Sequence, residues 1–235
     1  MPVVRAATRG SALALWQAGH VGRMIEATYP GIEVEFVVVD TEGDRRLDVP
    51  ISDFGGKGVF AKEVQAAVLD GRADFAVHSA KDMPSQSIPG LVLAAVPERG
   101  DPRDALVGGT ITNLAPGATV ATGSMRRRVQ LAQIRPDLVF TELRGNMATR
   151  LSKVPEGGAI VVAAVALQRL QLADHLSEVL SPDDLVPQVG QGAPRQGHGF
   201  FAVVHGVVSS GGDGLRRLGG AGAQNLARPA GSRGS

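Results

Sequence analysis

Arginines stand at positions where an anion could be held. Arg9 precedes Ser11, a residue able to cap a following helix, and Arg126, Arg127 and Arg128 come directly after Thr122-Gly123-Ser124. Arg144 opens an Arg-Gly-Asn string, and Arg150 lies about one helical turn beyond it. A guanidinium offers a planar fork of N–H donors that matches carboxylates and phosphates, and a helix N-terminus adds backbone N–H groups beside it. The helix dipole disfavours cations at that end, so the Arg126–Arg128 run needs a compensating anion. A bound ligand is one source; the alternative is that these are solvated surface charges.

A second string could move protons. His78-Ser79-Ala80-Lys81-Asp82-Met83-Pro84 follows the strand-like run Ala73–Val77. Asp82 is a candidate general acid/base there, and Lys81 beside it would favour its charged form. The alternative is that Asp82 caps a turn. His78 reads as a hydrogen-bonded structural histidine, and Trp16 as core. Gly55-Gly56-Lys57-Gly58 suggests a phosphate loop, but it lacks the Walker spacing and the Ser/Thr after lysine. Two readings of it remain, a glycine loop carrying Lys57 and Phe60 over a cleft, and a plain loop before a helix.

These residues must be positioned by an alternation of strands and helices. Val3–Ala7, Ile32–Val39, Ala73–Val77 and Leu91–Val96 read as strands, with helices over Ala12–Thr28 (capped by Ser11) and Phe60–Leu69. After Pro97 the pattern restarts. Ala105–Val107, Ala118–Ala121, Leu138–Thr141 and Ala159–Ala163 read as strands, and Ser124–Ile134, Asn146–Lys153 and Val165–Leu170 as helices. Such alternation predicts an α/β fold of two lobes, with mixed sheets flanked by helices. The first lobe is expected over residues 1–97, with 188–193 returning to it, and the second over 98–187.

Composition narrows the classes. With 24 Lys+Arg against 23 Asp+Glu, the net charge of +1 argues against a nucleic-acid binder or a charge-held membrane protein. Zero cysteines exclude disulfides, thiolate metal sites and thiol-anchored groups within these residues. No apolar run approaches the ~20 residues that span a bilayer, and Met1–Gly10 lacks the apolar core of a secretory signal. The cytoplasm is the expected compartment. Composition then shifts at one point: 11 of the 31 glycines fall in residues 194–235. Apart from the strand-like Phe200–Val208, this tail is expected to be largely disordered.

Taken together the strings resemble the hydroxymethylbilane synthase (porphobilinogen deaminase) family over residues 3–193. They are Ala7-Thr8-Arg9 with Ser11 and Leu13–Ala18, Gly55-Gly56-Lys57-Gly58 with Phe60, Ala73-Asp74 and Val77-His78-Ser79 with Lys81-Asp82 and Pro84, Asp101-Pro102-Arg103-Asp104-Ala105, Ser124 with Arg126-Arg127, Leu143-Arg144-Gly145-Asn146 with Thr149–Lys153, and Val189–Ala193. The resemblance implies two lobes like a type II periplasmic binding protein, a third, α+β domain, and a transferase of tetrapyrrole (heme) biosynthesis. That enzyme joins four porphobilinogen molecules head to tail into 1-hydroxymethylbilane with release of ammonia. By matching positions, Asp82 would be catalytic, contacting pyrrole nitrogens and stabilising the cation left as ammonia departs. Arg9, Ser11, Lys57, Lys81, Thr122, Ser124, Arg126, Arg127, Arg144, Arg150, Arg169 and Gln191 would bind substrate or cofactor, and Gly55, Gly56, Gly58 and Phe60 would lie on a loop over the cleft. No metal is implied, and the partner is a small molecule met by a monomer, with no nucleic acid and no membrane. Gly123 departs from the serine or threonine usual there, removing one hydroxyl donor.

The resemblance stops at Ala193. The family's dipyrromethane cofactor is attached through a cysteine of the third domain, and neither is found in this sequence. The expectation is therefore an impaired enzyme, the alternative a catalytically dead two-lobed binder of pyrrole carboxylates from a truncated or frameshifted gene. A transporter's solute-binding protein shares the fold, but the Lys81-Asp82 and Arg-Gly-Asn strings argue against it.

Overall fold

Apolar side chains on both faces of the central strands dictate two sheets, each covered by helices. The computed structural model describes residues 1–45, 60–83, 88–97 and 100–191, and the backbone of 201–206. In the first lobe β1 (Val3–Arg9), α1 (Ala12–Thr28), β2 (Glu33–Val39), α2 (Glu42–Arg45), α3 (Lys62–Leu69), β3 (Phe75–Ser79) and β4 (Leu91–Ala95) follow in turn. The second holds β5 (Asp104–Val107), β6 (Thr119–Ala121), α4 (Met125–Ile134), β7 (Val139–Thr141), α5 (Met147–Leu151), β8 (Ala159–Ala163), α6 (Ala164–Arg169) and β9 (Glu178–Val179). A final strand, β10 (Phe201–Gly206), returns to the first sheet.

The two sheets share one plan. The first has the order β2-β1-β3-β10-β4, the second β7-β6-β8-β5-β9. β1 is parallel to β2 and β3, and β6 is parallel to β7 and β8. In each sheet one strand runs against the rest: β10 between β3 and β4, and β5 between β8 and β9. The period of two then sorts side chains between the faces. From β3, Phe75 and Val77 pack with Ala18 and Val21 of α1, while Ala76 packs with Val64 and Val68 of α3. From β8, Val161 meets Leu131 of α4, while Ile160 and Val162 meet Leu167 of α6. Each fully buried leucine or isoleucine of this kind contributes about 1.5–3 kcal/mol.

Two expectations change and one holds. Residues 42–45, to which the sequence pattern assigned no element, form α2, because Thr41 accepts the Asp44 N–H and nucleates one helical turn. The strand-like run of the tail is a strand: residues 201–206 pair on both sides, since this apolar, β-branched run supplies partners that the facing edges of β3 and β4 would otherwise lack. The rest of the tail lies outside the described residues. His78, read as hydrogen-bonded, keeps a buried Nε2 with no hydrogen-bond partner among the described residues. No helix of the described residues is long and apolar enough to cross a membrane.

Burial, reinforced by the positive charge of Arg9, lowers the His78 pKa to about 4. The folded chain thus keeps this imidazole neutral while an unfolded chain protonates it near 6.5. Stability from this group is full above pH 6.5 and lost as pH falls toward 4, by about 3 kcal/mol in all. Urea midpoints at pH 7, 6 and 5 are expected to fall in that order, and His78→Gln to flatten the slope. An equally steep slope in the variant would refute this assignment.

Candidate functional site

Arg9 ends β1, where the strand hands over to α1, and Ser11 caps that helix by accepting the Ala14 N–H at 3.3 Å. The Arg9 guanidinium is not waiting for a ligand. Its Nε donates to Asp44 Oδ2 at 2.8 Å, and its Nη2 pairs with the other oxygen of the same carboxylate. Thr41 Oγ1 donates to Asp44 as well, at 2.7 Å. Burial pushes the Asp44 pKa up, but the hydrogen bonds from Arg9 and Thr41 outweigh it and the net shift is downward. Phe60 lies beneath Arg9, its ring centroid 4.1 Å from the guanidinium carbon, and packs so closely on Gly43 that a Cβ there would stand 2.3 Å from the ring. Phe60 thus packs against both Arg9 and Gly43. Lys57, Gly55, Gly56 and Gly58 lie outside the described residues.

Asp82 follows β3 in a short 3-10 turn, Ala80–Asp82. Its carboxylate Oδ2 faces Arg9 Nη1 at 4.0 Å. Both side chains line a small pocket with Gln17, Phe60, His78 and Ser79. Gln17 and Ser79 bond to each other, with Gln17 Nε2 donating at 3.0 Å.

In the second lobe Ser124 caps α4 by accepting the Arg127 N–H, and Thr122 Oγ1 accepts the Ser124 N–H at 3.2 Å. Both hydroxyls therefore serve the turn that aims the arginines. The anion those arginines require is internal. Asp104, the first residue of β5 and without exposed surface, accepts from Arg126 Nη2 and from Arg127 Nη2, each at 2.6 Å. Burial opposes its ionisation, yet Arg127 and Arg126 prevail and lower its pKa. Arg127 also donates Nη1 to the Val161 carbonyl at 3.0 Å. Sequence reasoning missed Asp44 and Asp104. The available signal for Asp104 was an acid at the head of the apolar run Ala105–Val107, a place where a carboxylate survives only if paired.

Arg150 differs. Its Nε donates to the Gly145 carbonyl at 2.8 Å, and no carboxylate among the described residues forms an ion pair with it. Burial first, then repulsion from Arg127 and Arg144, pushes its pKa down to about 10, against the opposing pull of Asp82. Arg169, lowered to about 10 by burial, lies over Trp16, 5.2 Å from the ring centroid; Trp16 also stacks on His20. That contact joins α6 of one lobe to α1 of the other.

A second crossing reaches the Asp82 turn. Gln191 Oε1 accepts from Lys81 Nζ at 3.2 Å, and Gln188 Nε2 donates to the Lys81 carbonyl at 3.5 Å. Between them Gly190 has φ +77°, and a Cβ on it would stand 2.9 Å from the Lys81 nitrogen. Gly123 is likewise a close approach: a Cβ there would meet the Leu143 carbonyl at 2.7 Å. The missing hydroxyl at 123 is thus accompanied by a tighter seat for the strand leading to Arg144.

Residues 4–194 match the family model described as "Porphobilinogen deaminase, dipyromethane cofactor binding domain". The chain is 52% identical over 192 residues to the porphobilinogen deaminase of Nitratidesulfovibrio vulgaris, a match covering 80% of this chain and 61% of that protein. The match thus spans about three fifths of that relative's length. Among solved structures, a nutrient binding protein from Burkholderia cenocepacia bound to methionine aligns with a TM-score of 0.50 at 11% identity, covering 96% of this chain and 90% of its own. The shared feature is the two-lobed fold of type II periplasmic binding proteins.

The packing of Gly190 on Lys81 yields a direct test. Gly190→Ala forces an L residue into the left-handed region, at about 1–2 kcal/mol, and drives a Cβ against backbone that cannot swing away. A lower urea midpoint is expected, with a loss of at least that much unfolding free energy. A midpoint unchanged from the parent chain would show that the crossing does not bear on this turn.

Proposed function

Because the chain belongs to the porphobilinogen deaminase family, we propose that the cleft between its lobes recognises porphobilinogen and the oligopyrroles built from it, through their acetate and propionate groups. The observation that carries this reading is the contrast among the arginines. Arg9, Arg126 and Arg127 already face built-in carboxylates, whereas Arg150 is held in the same charged neighbourhood and, among the described residues, forms no ion pair with a carboxylate. A half-buried guanidinium crowded by other cations is unfavourable, and a ligand carboxylate relieves it through a charge-assisted, two-pronged hydrogen bond. Arg144, Lys81 and Ser11 would add contacts around that anchor, and Thr122, Ser124 and Gln191 would keep the arginines in place.

Asp82 is the proposed catalytic residue. Its carboxylate, beside the Arg9 cation, can accept a pyrrole N–H and stabilise the positive charge that develops as the aminomethyl nitrogen leaves as ammonia. The reaction so read is the transferase step of porphyrin and heme biosynthesis, head-to-tail condensation of porphobilinogen toward 1-hydroxymethylbilane, in a cytoplasmic monomer. A dipyrromethane cofactor, when bound, supplies the pyrrole end to which the first substrate is joined. Its carboxylates fit Arg144, Arg150 and Lys81; its thioether has no candidate, since these 235 residues include no cysteine. On their own they are therefore read as binding porphobilinogen while turning it over poorly or not at all.

Titration calorimetry of the purified chain with porphobilinogen tests both parts. Binding is expected, and Arg150→Ala should weaken it roughly tenfold to a hundredfold, the worth of a hydrogen bond to a charged group. Equal affinity in that variant would remove Arg150 from the site. Substrate consumption with oxidised uroporphyrin as product is expected to stay at background, and turnover would overturn the impaired reading.

A further inference from the structure

Gln191 occupies a position where its amide can face only one way. Its Nε2 donates to the Pro102 carbonyl at 3.2 Å and to Asp104 Oδ1, so Oε1 is left for Lys81 Nζ at 3.2 Å and Arg127 Nη2 at 3.4 Å. Turning the amide over would set its NH2 against an ammonium and a guanidinium, and its carbonyl against a carboxylate. Donor would meet donor and acceptor would meet acceptor at every contact. The carboxylate that enforces this orientation is itself fixed by two arginines at 2.6 Å each. Gly190 then holds the adjoining backbone against Lys81, leaving the relay little room to slide.

We propose that Asp104 is a positioning residue: it fixes Arg126 and Arg127 and, through Gln191, the ammonium group of Lys81, so that the second lobe orients the side chain next to Asp82. This rests on the reading of Asp82 as the catalytic acid. The route is a continuous chain of hydrogen bonds, Arg126 and Arg127 to Asp104, Asp104 to Gln191, Gln191 to Lys81. It begins on β5 and α4 and ends in the turn after β3. Its charge pattern also serves an anionic ligand: Asp104 cancels one of the three cations it organises and leaves the locus positive.

Lys81 reports on the relay directly. Burial lowers its pKa to about 8; among the charges around it, Asp82 and Asp104 raise it, and Arg127 and Arg150 lower it. The sequence holds four lysines, so a chain labelled with 13C at lysine Cε can be titrated by NMR, with Lys81→Arg supplying the assignment. Gln191→Leu removes the acceptor and Asp104→Asn removes the charge, and both should move the Lys81 midpoint downward, by about one pH unit for Gln191→Leu. A residue acting only through stability would lower the melting temperature and leave that midpoint in place. Should Asp104→Asn fail to fold, Gln191→Leu decides: an unmoved midpoint in that folded variant overturns the proposal. Porphobilinogen affinity, measured on the same proteins, is expected to fall in both. Because the titration needs no ligand, the two failures are distinguishable: absence of porphobilinogen binding to the parent chain would sink the functional reading, and an unmoved Lys81 midpoint would sink the relay.

Discussion

A carboxylate with no exposed surface is tolerable only when its charge is met on several sides, and Asp104 imposes that condition on the second lobe. Moving such a group out of water costs several kcal/mol, which one neutral hydrogen bond cannot offset. Two guanidinium groups and an amide answer it here. Each of those partners is delivered by a different feature: the first turn of α4 brings the arginines, and the 188–191 crossing brings Gln191. The sharp turn Thr122-Gly123-Ser124, with its two hydroxyl contacts and its close approach to Leu143, is what starts α4 at the right point. Loss of pairing at Asp104 would consequently loosen a loop, a helix start and the junction between lobes together.

The first lobe solves the same problem on a smaller scale. Asp44 is only part-buried, so one arginine and one hydroxyl suffice, and the ring of Phe60 covers the remaining face of the cation. The two solutions leave Asp82 beside a cation that is already half neutralised. A carboxylate so placed keeps a positive neighbour without being locked into a two-pronged ion pair.

Topology explains why these groups meet at all. Both sheets present the ends of parallel strands toward the junction, with β1 leading to Arg9, β3 to Lys81 and Asp82, and β6 to Ser124 and the arginines. In each sheet the antiparallel strand, β10 or β5, is entered by a crossing between lobes. Trp16 under Arg169, and Leu13 packed with Ala163, Val165 and Ala166, add apolar contact across the same boundary. The site is therefore a property of two lobes held in one arrangement.

Much of this was legible in the sequence because it is local. The helix cap at Ser11, the alternation of strands and helices and the family strings all depend on residues within a few positions of one another, where propensity and pattern act. What the sequence could not reveal is which charges meet. Asp44 lies 35 positions from Arg9, and Asp104 lies 22 and 23 positions from its arginines and 87 from Gln191. An unpaired arginine and a neutralised one look alike in a string of letters. Only the fold, by burying Asp104 beside Arg126 and Arg127 and setting Asp44 against Arg9, decided which of these cations are met by carboxylates of the chain itself.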